Sequence, residues 1–257
     1  MSGKRSKKVQ IQKDIYMEQE DQKNLPLSKV GVEQLRLINK LKYKNDNQKL
    51  ACEVIDNNVL TFLGGPAGSA KSFLAVAKAV AALKEGKVRK IYLSRPVVEA
   101  GTTLGFLPGG LNDKLEPYIR PIYDCLEYFV GSEGVAKLIE SKIIEVVPIT
   151  MMRGRTLSDA FIILDEMQNA SKEQLKLALT RIGFGSQCCV TYDFAQCDIS
   201  KSVSCVNDIL NFEGAKDVGF FKFKNEDICR AEIVKTVLEV YKQHEEDSKN
   251  WVYTRYQ

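Results

Sequence analysis

The stretch Asn58-Val59-Leu60-Thr61-Phe62-Leu63-Gly64-Gly65 constrains this chain most. It is a short apolar run of strand-forming residues that ends in glycines. It is followed closely by Lys71-Ser72-Phe73-Leu74-Ala75-Val76-Ala77-Lys78-Ala79-Val80-Ala81-Ala82-Leu83, an Ala- and Leu-rich helix former. The order is strand, glycine turn, helix, and a further apolar run at 90–97 completes a βαβ unit. Additional strands are expected at 142–148, 160–164, 187–191 and 218–223, and helices at 32–43, 48–55, 116–129, 134–141, 172–182 and 230–244. Buried strands alternating with helices predict one α/β domain, a mainly parallel sheet with helices on both faces. With 257 residues, 44% hydrophobic and 27% charged, the chain has the material for such a domain plus an appendage.

Charge marks the appendage. Residues 1–50 carry 12 Lys or Arg against 6 Asp or Glu, whereas the remainder is slightly acidic. Residues 1–30, with Lys4, Arg5, Lys7 and Lys8, have too few apolar side chains to repay the entropy of ordering, so they read as a mobile basic arm. A basic arm can bind a polyanion or simply be solvated. The main domain is expected over 31–245 and a tail over 246–257, whose Trp251, Tyr253 and Tyr256 read as packing on the core, with base stacking or docking on a neighbour as alternatives. Seven cysteines, an odd number without a C-x-x-C pair, read as structural thiols in a reducing cytoplasm. No segment approaches the roughly 18 apolar residues of a membrane helix, so we expect a protein that neither spans a membrane nor is secreted.

Gly65-Pro66-Ala67-Gly68-Ser69-Ala70-Lys71-Ser72 lies one residue from the pattern G-x-x-x-x-G-K-[ST], and it sits between strand and helix as that pattern requires. Consecutive backbone N–H groups at a helix N-terminus cradle phosphate oxygens, a lysine reaches the β and γ phosphates, and a hydroxyl meets Mg²⁺. Lys71 and Ser72 fit those roles, with ATP and Mg²⁺ as the implied ligands. Ala70 stands where the second glycine belongs. A Cβ there crowds the phosphates or strains a turn that glycine tolerates.

A second motif, Phe161-Ile162-Ile163-Leu164-Asp165-Glu166-Met167-Gln168-Asn169, is an apolar strand delivering two carboxylates at its C-terminal end. Asp165 suits Mg²⁺, and Glu166 suits orienting or deprotonating a water. Together the motifs read as a P-loop nucleotidase. Gln48 offers an amide whose donor and acceptor match an adenine edge, and Gln196, after Thr191-Tyr192-Asp193-Phe194-Ala195, ends another strand near a γ-phosphate; each is also a candidate surface residue. Arg153, Arg155, Arg181 and Arg230 are the candidates for a guanidinium that meets phosphoryl charge.

Six runs then sharpen the reading: Arg95-Pro96-Val97-Val98-Glu99-Ala100-Gly101, Leu104-Gly105-Phe106-Leu107-Pro108-Gly109, Pro117-Tyr118-Ile119-Arg120-Pro121-Ile122-Tyr123-Asp124, Met152-Arg153-Gly154-Arg155-Thr156-Leu157, the Asp165 motif and Leu179-Thr180-Arg181-Ile182-Gly183-Phe184-Gly185-Ser186. They closely resemble the PhoH family, over residues 45–243. The resemblance implies a cytoplasmic ATPase with a single RecA-like P-loop NTPase domain, often called phosphate-starvation-inducible, with single-stranded RNA as partner and helicase-like or RNA-processing activity. It also implies Gln48 as the adenine-sensing glutamine, Lys71 and Ser72 as phosphate and Mg²⁺ ligands, Asp165 and Glu166 as catalytic carboxylates, Gln196 as a γ-phosphate sensor, and Arg230 or Arg181 as an arginine finger.

Three residues depart from the family pattern: Ala70 for Gly, Tyr192 for the Gly before Asp193, and Ala231 for the His after Arg230. They raise the alternative of a nucleotide-gated RNA-binding or assembly module with little hydrolysis. Beyond Gln196 only 61 residues remain, too few for a second RecA-like lobe, so a homo-oligomeric ring, with a hexamer as its candidate form, is expected to supply the second wall of the site.

Overall fold

The computed structural model describes residues 36–96, 111–200 and 203–229, together with Ile233, Val237 and Val240. The expected basic arm (1–30), the tail (246–257), Arg230, Ala231 and most of the expected 230–244 helix lie outside the described residues.

The β-formers of the first apolar run become β1 (Leu60–Gly64), every residue of which is buried. The Ala-rich segment after it becomes α2 (Lys71–Lys84), preceded by α1 (Asp46–Asn57). Asn45 caps α1 by accepting from the Gln48 N–H, which satisfies one of the first-turn amides. β2 (Lys90–Ser94), β3 (Ile144–Val146), β4 (Ala160–Leu164), β5 (Gln187–Tyr192) and β6 (Val218–Lys222) complete a six-stranded sheet in the order β3-β2-β4-β5-β1-β6. Every pairing is parallel. A parallel sheet needs both faces covered, and two apolar clusters cover them. On one side α1, α2 and α3 (Leu111–Glu140, bent at Gly131) pack on Leu63, Ile91, Leu93, Phe161 and Ile163. On the other, α4 (Lys172–Leu179) and α5 (Val206–Leu210) pack with Met152 on Phe62, Tyr92, Ile162, Leu164 and Val190. Alternate residues of each strand feed opposite clusters, as the two-residue side-chain period dictates.

The expected strands are all present, although 142–148 shortens to the three residues of β3. The expected helices at 116–129 and 134–141 are both present as the two arms of α3, which meet at the non-helical Gly131 (φ 73°, ψ 162°), and α4 ends at Leu179, where Thr180 caps it. One expectation fails. Residues 36–43 of the expected 32–43 helix are not helical, and 32–35 lie outside the described residues. Leu37 and Leu41 pack one by one against the core, while the Ile38 N–H donates to the Phe129 carbonyl at 2.8 Å and Asn39 Nδ2 to the Tyr128 carbonyl at 2.8 Å. The segment's apolar residues are anchors of a strap across α3, tied to that helix by one backbone and one side-chain hydrogen bond. No helix among the described residues is long and apolar enough to cross a membrane.

Candidate nucleotide site

The C-terminal ends of the strands gather both sequence motifs. After β1 the loop turns through Gly65 (φ 135°) and Gly68 (φ 85°), and Ala70 enters α2 in the left-handed conformation at φ 72°, ψ 20°. A non-glycine residue there carries strain of about 1 kcal/mol or more. Ser69 Oγ donates to the Pro66 carbonyl at 2.8 Å, and Lys71 Nζ to the carbonyls of Gly65 and Pro66 at 2.7 and 3.0 Å, so the loop is closed on itself. Ala67 lies within the turn these bonds close. The first amides of α2 point out of a buried helix end, which is what an anion requires.

Strand register builds the rest. Leu164 lies opposite Ser94 on β2 and Val190 on β5, so the residue that follows β4, Asp165, falls between Arg95 and Thr191. Asp165 is 1% exposed. Its Oδ1 accepts from Ser72 Oγ at 2.6 Å and Thr191 Oγ1 at 2.7 Å, and its Oδ2 stands 3.7 Å from Arg95 Nη1. Ser72 and Asp165 present hard oxygen donors side by side, the chemistry Mg²⁺ prefers, and the residues therefore fit that ion. Among its neighbours, the Cys125 thiol is pushed up to about 11, by burial first and by the Asp165 charge second. Cys189, buried on β5, is raised well above the ordinary thiol value by burial, with Cys188 and Asp165 adding to it.

Glu166 follows in a left-handed conformation (φ 55°), its N–H donating to Thr191 Oγ1 at 3.0 Å. One hydroxyl thus orients both carboxylate residues. Gln168, 1% exposed, holds the Glu166 side chain: its Nε2 donates to Glu166 Oε2 at 2.5 Å and to the Gln196 carbonyl at 3.1 Å, while its Oε1 accepts from the Asp193 N–H at 3.0 Å. Sequence reasoning gave Arg95, Gln168 and Thr191 no role, although all three stand in runs it singled out; their signal was position at a strand end beside the carboxylates.

Residues 40–242 match the family described as PhoH-like protein. The chain belongs to the PhoH-like protein family. It is 45% identical over 207 residues to a PhoH-like protein of Mycobacterium tuberculosis, covering 79% of this chain and 58% of that protein. It is 42% identical over 203 residues to a PhoH-like protein of Bacillus subtilis, 78% of this chain and 64% of that protein, and 37% identical over 202 residues to Protein PhoH of Escherichia coli, 77% and 57%. The chain thus spans about six-tenths of the length of these relatives. Among solved structures, the large terminase of a thermophilic bacteriophage superposes with a TM-score of 0.52 at 10% identity, over 77% of this chain and 50% of that one. The fold is the RecA-like α/β fold of P-loop NTPases.

Within this PhoH-like domain the other expected site residues are placed as follows. Gln48 is buried at the start of α1, its Oε1 accepting from the Lys44 N–H and its Nε2 meeting Cys229 Sγ at 3.3 Å. The Cys229 N–H donates to the Gly68 carbonyl, which ties Gln48 to the P-loop. Gln196 has an exposed side chain on the loop after β5. Arg181 lies at the opposite, N-terminal end of the strands, before β5: its neighbour Ile182 bridges Leu157, which precedes β4, and its Nη1 donates to the Arg155 carbonyl at 3.3 Å. Arg155 itself pairs with Glu145 at 2.7 Å and lies over the Tyr92 ring. Arg181 and Arg155 are not brought to the P-loop of their own chain.

Proposed function

We propose that this chain is a cytoplasmic Mg-dependent ATPase of PhoH type that couples ATP hydrolysis to single-stranded RNA, in helicase-like or RNA-processing work. The observation that carries the reading is the 2.6 Å contact of Ser72 with Asp165 at the mouth of a loop holding Lys71. Residues 65–72 hold the phosphates, Lys71 turns from its loop carbonyls to the β and γ phosphates, and Gln48 reads the base. Ser72 and Asp165 would hold Mg²⁺, which would supply positive charge to the phosphates. Glu166, aimed by Gln168, orients the attacking water and receives its proton; Gln196 senses the γ-phosphate. A guanidinium from a neighbouring subunit, Arg230 or Arg181, meets the charge of the transferring phosphoryl group. The place of Arg181, at the opposite end of the strands from its own P-loop, supports action in trans within a homo-oligomeric ring, with a hexamer as the candidate form.

Phosphate release from Mg·ATP by purified protein, with and without single-stranded RNA, tests this. We expect turnover that rises with RNA and is lost in Lys71→Ala and Glu166→Gln; turnover unchanged in Lys71→Ala would overturn the assignment. The left-handed Ala70 favours a second reading, a nucleotide-gated module that holds ATP and hydrolyses little. Lys71-dependent ATP binding without turnover would select it.

A further inference from the structure

A cavity of about 750 Å³ opens at the tops of β5, β1 and β6, bounded on one side by Gly65 and Pro66 at the start of the P-loop. Its walls include Pro66, Asp193, Phe194, Lys222, Lys224 and Asn225. The volume lies in the range of small-ligand pockets. Phe194 is half-buried and held edge-on against Tyr192, ring centroids 5.0 Å apart at 88°, so its orientation is fixed by packing. Lys222 Nζ lies over the Phe194 ring, 5.6 Å from its centre, so one face of the ring meets a cation. Lys222 and Lys224 are exposed, and no carboxylate lies within ion-pair distance of either among the described residues. Of the nearby carboxylates, Asp193 is buried with Oδ1 accepting from the Ala195 N–H, and Asp227 Oδ2 accepts from the Lys224 N–H.

We propose that this cavity is the seat of a single-stranded polynucleotide, with a base stacked at Phe194 and backbone phosphates met by Lys222 and Lys224. An aromatic ring held by packing, with one exposed lysine over a face and a second nearby, neither paired with a carboxylate among the described residues, suits a nucleic-acid strand because every base offers a π-face and every residue a phosphate. The proposal rests on the RNA-coupled reading and names where that coupling enters. The loop that carries Phe194 is the one Gln168 holds: the Asp193 N–H and the Gln196 carbonyl both bond the amide that holds Glu166. A strand that shifts residues 193–196 therefore moves the partner of the water-orienting carboxylate. Gln168 is a positioning residue in this scheme.

The test uses the full chain and fluorescence anisotropy of short labelled oligouridine and oligothymidine, without nucleotide, across a salt series. Lys222→Gln with Lys224→Gln, two exposed positions whose exchange spares the core, is expected to weaken strand binding and lower the salt slope by about 1 to 2 units. Phe194→Ala is expected to weaken binding about tenfold at every salt concentration, as loss of one stacking partner does. The two strand types distinguish RNA from DNA as the source of the same chemistry. Wild-type affinity and slope in the lysine pair variant would overturn the subsite while leaving the ATPase reading intact. A wild type that binds neither strand would overturn both the subsite and RNA coupling, with phosphate release from ATP alone still reporting on hydrolysis. Uridine monophosphate competing as well as the oligomer would overturn a polymer seat. Gln168→Met, which keeps length and removes the hydrogen bonds, is expected to keep strand affinity within about twofold and to lose strand stimulation of phosphate release. Retained stimulation would overturn the relay.

Discussion

Ala70 and Glu166 are two of five non-glycine residues at positive φ among the described residues, and both flank the candidate nucleotide site. Strain of this kind persists only where surrounding structure imposes it. For Ala70 the source is plain: the turn into α2 asks for a left-handed residue, and the chain supplies one with a Cβ. Replacing it with glycine removes about 1 to 2 kcal/mol of strain but restores about 0.4 to 1 kcal/mol of unfolded-chain entropy. We therefore expect Ala70→Gly to gain about 0.5 to 1 kcal/mol, a rise of roughly 1 to 4 °C in melting temperature for a domain of this size. An unchanged or lower melting temperature would mean that the strain is relieved elsewhere in the loop. At the same scale Thr191 shows how little material the carboxylate pair needs: a single buried hydroxyl donates to Asp165 and accepts from the Glu166 backbone.

At the scale of elements, the pairing of β1 with β5 shows how Tyr192 is accommodated. Gly64 lies opposite Tyr192, and a Cβ on Gly64 would come within 2.5 Å of the Tyr192 ring. The tyrosine occupies the room that the glycine leaves, and burial pushes its phenol above the ordinary value. Gly64→Ala should cost about 1 to 3 kcal/mol in the natural chain by overpacking. In a Tyr192→Ala background it should cost less than about 0.5 kcal/mol, a coupling that denaturant melts of the double-mutant cycle measure. Equal costs in both backgrounds would show that the contact is absorbed by a shift of β1. The element that sequence reading misplaced, the 32–43 helix, has the opposite character. Its apolar residues have helical spacing, but Ile38 and Asn39 bond α3, and packing on that helix outweighs a short helix's own marginal stability.

For the whole molecule, the thiols set a pH limit. All seven cysteines are free, and burial raises Cys205 to about 12 and Cys125 to about 11, against an ordinary value of 9.0. The unfolded chain loses these protons first, so their contribution to stability is complete below pH 9 and is lost as pH rises from about 9 toward 12. Melting temperature should fall across that window, and the fall should be shallower in Cys205→Ala, whatever that variant's stability at pH 7. A slope unaffected by the substitution would assign the fall to other groups. The amino-acid sequence by itself determined the strands, most of the helices between them and the loop from Gly65 to Ser72, because periodicity, glycine placement and the P-loop pattern are properties of contiguous residues; the five-residue α5 (Val206–Leu210) is too short to leave a periodic signal. It also named Asp165 and Glu166, which end an apolar run. Only the tertiary structure decided the order β3-β2-β4-β5-β1-β6, since a parallel sheet brings together strands far apart in the chain. With that order came Arg95 and Thr191 beside Asp165, Gln168 between Glu166 and the loop after β5, and Arg181 at the end of the strands away from the P-loop. Each of those placements depends on which strand lies next to which and in what register, and no local signal in the chain carries that information.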